Sequence, residues 1–333
     1  MFTSLLKRPS VRQHLMNRVN QEKTAKAKAF SEKLLRSGGF TAVCVGTGTP
    51  TPSERAQPCV AVFVNGRFFL FDAGDGCVKV MGQQDLPIGL LDAVFLTHYH
   101  SDHIADLGEV INRSWIMGRI HTLPILGPEG IAEVVEGFAM AYRLDNTYRN
   151  AHHGDDVMPL PTAGATGERF DAPTDGTLLT LFEEDGIVIK TFEANHYPAK
   201  PAVGFRIEYG GRILVISGDT LRVPGLDAAS QSADLLICDV MNHQIVGEME
   251  QQQLNAGKPR NARFMHDIPD YHIDVHDVGD LAQATQVKHL ALVHLMPSVD
   301  RLAQIKAFFV DPIAEKYDGE ISVPNDGDVF ELL

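Results

Sequence analysis

Four side chains that can bind metal ions stand within six residues of one another in the first half of the chain. They are His98, His100, Asp102 and His103. The apolar run at 91–96 predicts a buried strand before them, and apolar residues at helical spacing over 104–110 predict a helix after them. The segment is therefore predicted to form a strand, a turn rich in metal ligands and a helix.

The spacing of these residues indicates two adjacent metal sites rather than one. In an extended turn, side chains two positions apart point in the same direction, so His98 and His100 can bind one ion. Asp102 and His103 begin the helix and face elsewhere. Imidazole ligands with a few carboxylates are typical of zinc, and manganese or iron also accepts them. Two Zn²⁺ ions are therefore predicted, with Mn²⁺ or Fe²⁺ as alternatives.

This stretch resembles the metal-binding motif of the metallo-β-lactamase superfamily. The resemblance implies an α/β fold, an αββα sandwich of two mixed β-sheets flanked by helices, with a dinuclear site at its edge. The glycine-rich loop at 46–50, with Arg55 shortly after it, is similar to the Gly-Thr-Gly-x-Pro opening of the ribonuclease Z-like branch. The resemblance covers about residues 40–333.

The resemblance also implies where the remaining ligands lie. His196, Asp219 and His294 each follow a predicted strand and match the third, fourth and fifth motifs of the superfamily. Asp72 matches the aspartate of the first motif, which orients the ligand turn without binding metal. The implied ligands are His98, His100 and His196 for one ion, Asp102, His103 and His294 for the other, and Asp219 as the bridge.

A proton donor for the leaving group is predicted at His272. This residue lies 22 positions before His294, which is similar to the spacing between the catalytic histidine of ribonuclease Z-like enzymes and their last metal ligand. Asp239, at the end of another predicted strand, resembles the carboxylate that orients and charges that histidine. Spacing alone leaves His266 and His276 open as alternative donors. The residues predicted to act in catalysis are Asp102, Asp239 and His272.

The ligand types narrow the predicted reaction. His100 stands where the flavodiiron branch has a glutamate, and Asp219 stands where classical zinc β-lactamases often have a cysteine. The predicted protein is a dinuclear zinc-dependent hydrolase in which a hydroxide between the ions attacks a phosphodiester or a sulfate ester, as in ribonuclease Z-like and arylsulfatase-like proteins. Two alternatives stay open: β-lactamase or lactonase activity at the same site, and endonucleolytic processing of the 3′ end of tRNA.

A lid-like insert at about 146–178 is predicted to contact the substrate. Residues 146–154 are interpreted as a substrate-facing loop, and the proline- and glycine-rich residues that follow show no periodicity. Arg169 is the sole lysine or arginine at 155–178, whereas the arm with which ribonuclease Z proteins grip tRNA carries basic residues. A small anionic ester is therefore the expected substrate. The predicted substrate-binding residues are Arg55, Arg149, His152 and His153.

The formal charge of −14 is unevenly distributed over the 333 residues. Residues 1–36 contain nine lysines and arginines against two glutamates, a net charge of +7 that leaves −21 for the rest. Residues 1–39 are interpreted as a basic helical extension, and 40–333 as a single domain. The extension is expected to pack on its own domain or on a partner subunit, and contact with an anionic membrane or a nucleic acid is the alternative. The acidic domain disfavours a nucleic-acid partner.

The remaining composition indicates an ordinary globular protein. No apolar run reaches the roughly 20 residues of a membrane span. The four scattered cysteines indicate neither a disulfide framework nor a zinc knuckle, so reduced thiols in the cytoplasm are expected. A homodimer is expected because relatives of this kind commonly dimerise.

Overall fold

The structure, a computed structural model, describes residues 9–51, 53–298 and 303–332. The first eight residues of the predicted basic extension lie outside the described residues, and Pro9–Leu34 forms helix α1. Two seven-stranded mixed sheets pack against each other, and helices cover the outer face of each. The αββα sandwich predicted from the sequence is confirmed.

The first sheet is antiparallel at one end and parallel at the other. Its strands are β1 (Phe40–Gly46), β2 (Cys59–Val64), β3 (Arg67–Phe71), β4 (Ala93–Phe95), β5 (Leu123–Gly127), β6 (Ala165–Arg169) and β14 (Asp328–Glu331). Their order in the sheet is β14-β1-β2-β3-β4-β5-β6. The hairpin of β2 and β3 turns at Asn65 and Gly66, which both have positive φ, as a tight two-residue turn requires.

The second sheet repeats this arrangement with the chain running through seven later strands. They are β7 (Leu179–Glu184), β8 (Ile187–Ala194), β9 (Ala202–Tyr209), β10 (Arg212–Ile216), β11 (Leu235–Met241), β12 (His289–Met296) and β13 (Glu320–Ser322). Their order is β13-β12-β11-β10-β9-β8-β7, with parallel pairing from β10 to β13.

Helices connect and cover the strands. After α1 they are α2 (Cys77–Gln83), α3 (Ser101–Ile104), α4 (Leu107–Ile116), α5 (Ile131–His153), α6 (Pro224–Ser230), α7 (His243–Asn255), α8 (Pro259–Asp267), α9 (Val275–Ala284) and α10 (Ala303–Ala314). Short 3₁₀ turns lie at Ile88–Leu90, Leu160–Thr162 and Ile268–Tyr271.

The strands are apolar on both faces because both faces are covered. Along β1, Val43 and Val45 pack towards the helices, whereas Ala42 and Cys44 pack towards the second sheet. Neighbouring side chains of a strand point to opposite faces, so this alternation buries the whole strand. Such burial of consecutive residues at the ends of strands is what fixes the position of the polar side chains that follow them.

The helix α5 replaces the loop predicted at 146–154. It continues to Gly154, which has φ 82, because 131–153 contains no proline and Gly137 alone does not stop a helix. Within the residues predicted to lack regular structure, β6 pairs in parallel with β5 at the edge of the first sheet. The predicted loop is therefore wrong at 146–153 and at 165–169, and a lid-like function of the insert stays a prediction.

Among the described residues, no helix has both the length and the apolar character that are needed to cross a membrane. The expected homodimer and cytoplasmic location stay predictions.

Candidate metal centre

Side chains that can bind metal converge from strand ends of both sheets. β4 leads into the turn with the first two ligands, α3 carries the next two, and β8, β10 and β12 supply the others at or near their ends. All but one of these side chains are buried. In chain order they are His98, His100, Asp102, His103, His196, Asp219 and His294.

The first group consists of His98, His100 and His196. Their candidate ligand atoms lie within 4.8 Å of one another. The imidazole rings of His98 and His100 have centroids 4.8 Å apart, as expected for side chains two positions apart on an extended turn. His100 is exposed, so this group faces solvent on one side. Burial and the neighbouring His103 lower the pKa of His98, which favours the neutral form that binds metal.

The second group consists of Asp102, His103, Asp219 and His294, all of them buried. Oδ2 of Asp219 lies 3.3 Å from Nε2 of His103 and 3.6 Å from Nε2 of His294. The same oxygen lies 3.8 Å from Nε2 of His196, a member of the first group. Asp219 therefore stands between the two groups, where a bridging ligand would lie.

The protonation of Asp219 agrees with this position. Burial alone would raise the pKa of its carboxyl, but His294 and His103 outweigh burial and hold the pKa well below its usual range. Asp219 is therefore a carboxylate, which is the form that binds cations. The carboxylates have the opposite effect on His103, whose pKa they raise against the effect of burial.

Buried ring nitrogens test whether these residues fit metal ions. Among the described residues, Nε2 of His98 and Nε2 of His103 are buried and have no hydrogen-bond partner. Buried polar atoms are nearly always satisfied in folded proteins. Two adjacent groups of imidazoles and carboxylates with unsatisfied ring nitrogens therefore fit a pair of metal ions such as zinc.

Asp72 fixes the turn that carries the first ligands. Its Oδ1 accepts a hydrogen bond from the backbone N–H of Thr97, and its Oδ2 accepts one from the Thr97 hydroxyl, both at 2.8 Å. Oδ2 also lies 2.8 Å from Nδ1 of His103, and the Thr97 hydroxyl lies 3.1 Å from Nδ1 of His98. Such contacts suit a residue that orients ligands, and this role of Asp72 stays a prediction.

Two backbone features place the later ligands. Gly218 has φ 62, and a Cβ there would lie 2.9 Å from the carbonyl oxygen of Val203 and 3.0 Å from Thr97. Only glycine therefore allows the turn that presents Asp219 at the end of β10. His294 has φ 50 and is an extra residue of β12, since the pairing with β11 shifts at this point. Such bulges re-aim side chains and are frequent next to active sites.

The predicted proton donor His272 lies beside both groups. Its ring centroid is 5.0 Å from that of His196 and 5.4 Å from that of His294, and its Nδ1 lies 2.9 Å from Oδ2 of Asp239. The other oxygen of Asp239 accepts a hydrogen bond from Ser217 at 3.3 Å. A ring nitrogen of His272 also lies within 4.8 Å of candidate ligand atoms of His196 and Asp219. His272 could therefore bind metal instead of donating a proton, and an experiment has to distinguish the two roles.

Neither alternative donor reaches these groups. The side chain of His266 is 61% exposed and faces Glu250, and His276 is exposed in the first turn of α9. Neither belongs to a cluster of metal-ligating side chains within the part of the chain that the structure describes.

Two residues beside these groups are not predicted from the sequence. Tyr271 bonds through its carbonyl oxygen to Nδ1 of His196 at 3.0 Å, and its ring lies 4.9 Å from those of His196 and His272. Nε2 of His243 lies 2.8 Å from the carbonyl oxygen of His272. The position of Tyr271 directly before His272 was the one signal in the sequence, and for His243 there was none.

Arg55 lies beside the centre but is held by other residues. Its Nη1 donates to the Thr47 hydroxyl at 2.6 Å and to the carbonyl oxygen of Pro324 at 2.7 Å. The carbonyl oxygen of Thr47 in turn accepts the backbone N–H of His294 at 2.9 Å. Arg55 thus fixes the loop behind His294, and contact with substrate stays a prediction.

The structure does not bring the other three predicted substrate residues to the centre. Arg149 forms an ion pair with Asp145 at 2.6 Å, one turn earlier on α5, and His152 and His153 occupy the exposed end of this helix. The start of α5 lies against Tyr99 of the ligand turn, since a Cβ on Gly130 would come within 3.0 Å of its ring. At about 1.5 Å per residue, the end of α5 is roughly 30 Å further along the helix axis.

Comparison with known proteins agrees with this arrangement. Residues 53–263 match the Metallo-beta-lactamase superfamily. A Ribonuclease Z of Mycobacterium bovis is 34% identical over 294 residues, which cover 85% of this chain and 94% of the relative. A Ribonuclease Z of Mycolicibacterium paratuberculosis is 35% identical over 259 residues, with 77% of this chain and 85% of the relative covered.

Solved structures share the fold. The metallo-β-lactamase fold protein YhfI from Bacillus subtilis aligns with a TM-score of 0.61 at 21% identity, covering 88% of this chain and 99% of its own. The short form of human tRNase Z aligns with a TM-score of 0.60 at 19% identity, covering 87% and 98%. The predicted ribonuclease Z-like branch is confirmed by the relatives of similar sequence.

Proposed function

This chain belongs to the metallo-β-lactamase superfamily and is a metal-dependent hydrolase, and we propose that it hydrolyses phosphodiester bonds in RNA at a dinuclear site. The observation that carries the proposal is the position of Asp219, whose Oδ2 lies within 3.8 Å of ring nitrogens from both ligand groups. Relatives named Ribonuclease Z support RNA as the substrate and tRNA as its first candidate. Their names weigh against the expectation that the acidic domain disfavours nucleic acid.

The metal ions would be held by side chains that the structure brings together. His98, His100 and His196 would bind one ion, Asp102, His103 and His294 the other, and Asp219 both. When bound, the ions would polarise the phosphoryl oxygens and lower the pKa of bound water towards about 7. Zinc suits the histidine-rich donors best, with manganese or iron as alternatives.

The remaining polar residues then have distinct tasks. His272 would donate a proton to the leaving oxygen, since it is the ring beside both groups that is oriented by a carboxylate of its own, Asp239. Asp72 would hold the ligand turn in place. Proton donation to a leaving oxygen contributes about 10²–10⁴-fold to such reactions.

A small anionic ester is the second candidate substrate. The observation in its favour is the absence of a free basic residue on β6 and the insert around it, within the residues described. Arg169 lies 3.0 Å from Asp171 and 3.6 Å from Glu129, so its charge is balanced locally. An insert of this kind offers little to the phosphates of a long nucleic acid.

A panel of substrates tests these proposals with the purified, metal-loaded protein. Precursor tRNA with a 3′ trailer and bis-p-nitrophenyl phosphate represent phosphodiesters. The comparison substrates are p-nitrophenyl sulfate, nitrocefin and a homoserine lactone. Cleavage of the first two is expected. Hydrolysis of the aryl phosphodiester or of p-nitrophenyl sulfate without RNA cleavage would favour the second candidate, and turnover confined to nitrocefin or the lactone would contradict both.

Asp219→Ala connects this activity to the centre. The variant is expected to lose metal, measured by plasma mass spectrometry after dialysis, and at least 10²-fold in rate, since an oriented ligand shared by both groups is removed. Asp318→Ala, at an exposed position, is the matched control and should keep both properties. Full turnover by dialysed Asp219→Ala would show that the proposed site is not the one used.

A further inference from the structure

Tyr271 occupies the border between the metal-ligating groups and solvent. Its ring meets that of His196 at 87° and that of His272 at 56°, with centroids 4.9 Å apart in both cases. The side chain is partly exposed, whereas both histidines are buried. The residue therefore contacts a proposed metal ligand and the proposed proton donor, and part of it is open to solvent.

The backbone and the ring of Tyr271 are held firmly. Its carbonyl oxygen bonds with Nδ1 of His196 at 3.0 Å, and it ends the 3₁₀ turn Ile268–Tyr271. The ring packs on an apolar cluster of four buried residues. These are Met241, Val246, Ile268 and Met296. Such packing restricts the rotamers of the ring, so the position of the hydroxyl group is set before any substrate binds.

The hydroxyl group itself has no partner in the folded chain. Within the part of the protein that the structure describes, Oη of Tyr271 makes no hydrogen bond, although the hydroxyl groups of the partly buried Tyr99 and the buried Tyr317 each donate to a carbonyl oxygen. A phenol is a donor at neutral pH. Tyr271 therefore offers a positioned O–H group next to the candidate centre.

We propose that the hydroxyl group of Tyr271 donates a hydrogen bond to a non-bridging oxygen of the phosphoryl group, where negative charge develops during hydrolysis. The proposal rests on the phosphodiesterase function proposed above. In the reaction the oxygen of water bonds to phosphorus and gives up one proton to solvent, and the bond from phosphorus to the leaving oxygen breaks. The leaving oxygen takes its proton from His272, which is protonated again from solvent. Tyr271 keeps its own proton throughout, and a fixed donor aimed at developing charge stabilises the transition state.

This role differs from that of His272 in its dependence on the leaving group. Charge on a non-bridging oxygen develops whichever group departs. Loss of the Tyr271 hydroxyl should therefore slow p-nitrophenyl and alkyl esters by the same factor. Loss of a proton donor slows the alkyl esters most, because an alkoxide needs the proton and p-nitrophenolate does not.

Tyr271→Phe is the test, since it removes the oxygen and keeps the ring on the apolar cluster. We expect kcat to fall about tenfold or more on both classes of phosphodiester, with KM within a factor of about two and metal content unchanged. Buried donors of this kind are worth about 10²–10³, and a partly exposed hydroxyl less. Tyr197→Phe is the control, because Tyr197 adjoins His196 in sequence but its side chain is 64% exposed. Its kinetics should match the wild type.

Orthovanadate binding provides a readout without turnover. Its five-coordinate adducts resemble the transition state of phosphoryl transfer, so the metal-loaded Tyr271→Phe variant should bind orthovanadate about tenfold more weakly by calorimetry. Equal kcat and equal vanadate affinity in the variant and the wild type would overturn the role of the hydroxyl. A wild-type protein without phosphodiesterase activity would instead overturn the proposed function, and the vanadate comparison would still decide the contact made by Tyr271.

Discussion

His272 sits in surroundings that oppose a permanent positive charge. Burial lowers its pKa to about 3. Burial and the charge of Asp219 raise the pKa of its partner Asp239 well above the usual range. The ion pair of an imidazolium and a carboxylate is therefore not favoured in the free site. Under the proposed function, an anionic substrate beside the ring would favour the protonated form, so substrate binding and acid catalysis would be coupled at this residue.

His272→Ala should separate acid catalysis from metal binding. Because its ring bonds to Asp239 rather than serving in the two main ligand groups, we expect both metal ions to be retained. The rate on alkyl phosphodiesters should fall by about 10²–10⁴, and the rate on bis-p-nitrophenyl phosphate far less. Kinetics with a series of leaving groups and metal analysis after dialysis measure the two effects.

The control for His272→Ala is His266→Ala, since His266 was an alternative donor in the sequence and is exposed in the structure. Its kinetics should equal those of the wild type. Loss of one metal ion from His272→Ala would assign the residue as a ligand, in agreement with its short distance to His196 and Asp219. Equal slowing for all leaving groups would argue against the acid role.

At the scale of elements, Asp234 ties together the beginnings of three strands. Its Oδ2 accepts the backbone N–H of Ile213 in β10 at 2.8 Å, and it lies 3.0 Å from Arg212 and 2.8 Å from Lys288, next to β12. Burial alone would raise the pKa of Asp234, but Lys288, the Ile213 N–H and Arg212 together lower it. A carboxyl group with a lowered pKa in the folded state stabilises the fold above its ordinary pKa.

Asp234→Asn should therefore change the acid dependence of stability. Its effect on the free energy of unfolding is expected to be destabilising at pH 7 and to shrink as the pH falls below about 4, where the wild-type carboxyl group also takes up a proton. Urea unfolding of both proteins with a chelator present, at pH 7 and pH 3, measures this without interference from metal. Asp171→Asn, in an exposed pair, is the control and should differ little. If the two proteins differed in free energy of unfolding by the same amount at pH 7 and pH 3, the lowered pKa of Asp234 would be contradicted.

The same scale shows which parts of the structure a sequence can predict. Buried strands can be recognised in the sequence as runs of apolar residues, and the polar residues Asp72, His98 and Asp219 follow such runs directly or closely. Both signals lie in neighbouring residues, so the sequence predicts them together. The length of α5 could not be predicted, since the polar composition at 146–153 is as typical of a loop as of an exposed helix. Tyr271 was missed because its proposed role depends on its position beside His196, which is distant in sequence, and no local pattern records that proximity.

At the scale of the whole molecule, the negative charge of the domain is unexpected for a relative of proteins named Ribonuclease Z, because RNA is also negatively charged. α1 carries two exposed lysines, Lys26 and Lys28. With α2 and α4 it lines a cavity of about 860 Å³, and Asp106 forms part of the wall. The backbone N–H of Asp106 donates to the carbonyl oxygen of Ala73, whose N–H donates to that of His103. Two hydrogen bonds thus separate the wall beside α1 from a proposed metal ligand.

The last turn of α1 belongs to the core of the domain. Leu34 is buried in the helix-side cluster of the first sheet, and Lys33 forms an ion pair with Glu331 of β14. Removal of residues 1–36 would therefore expose the core. A loss of RNA binding in such a variant could then result from a loss of stability. Lys26 and Lys28 are both exposed and can be changed without this effect.

Lys26→Gln with Lys28→Gln should weaken RNA binding by removing two cations from α1. For a single strand, the slope of log K against log salt becomes shallower by about 0.7 for every phosphate that the protein no longer neutralises. The double variant should therefore have a slope shallower by about 1.4 and an unchanged rate on bis-p-nitrophenyl phosphate. Filter binding of precursor tRNA at several salt concentrations measures the slope.

The matched control removes two exposed cations elsewhere, through Lys258→Gln with Arg260→Gln in the connection of α7 and α8 and the start of α8. If RNA binding depends only on non-specific attraction by net charge, both double variants should bind RNA equally weakly, because each loses two positive charges. A direct interaction of α1 with the RNA would weaken binding in the first pair alone. An unchanged slope in the α1 variant would place the RNA on another surface and return this helix to the purely structural role that Leu34 already indicates.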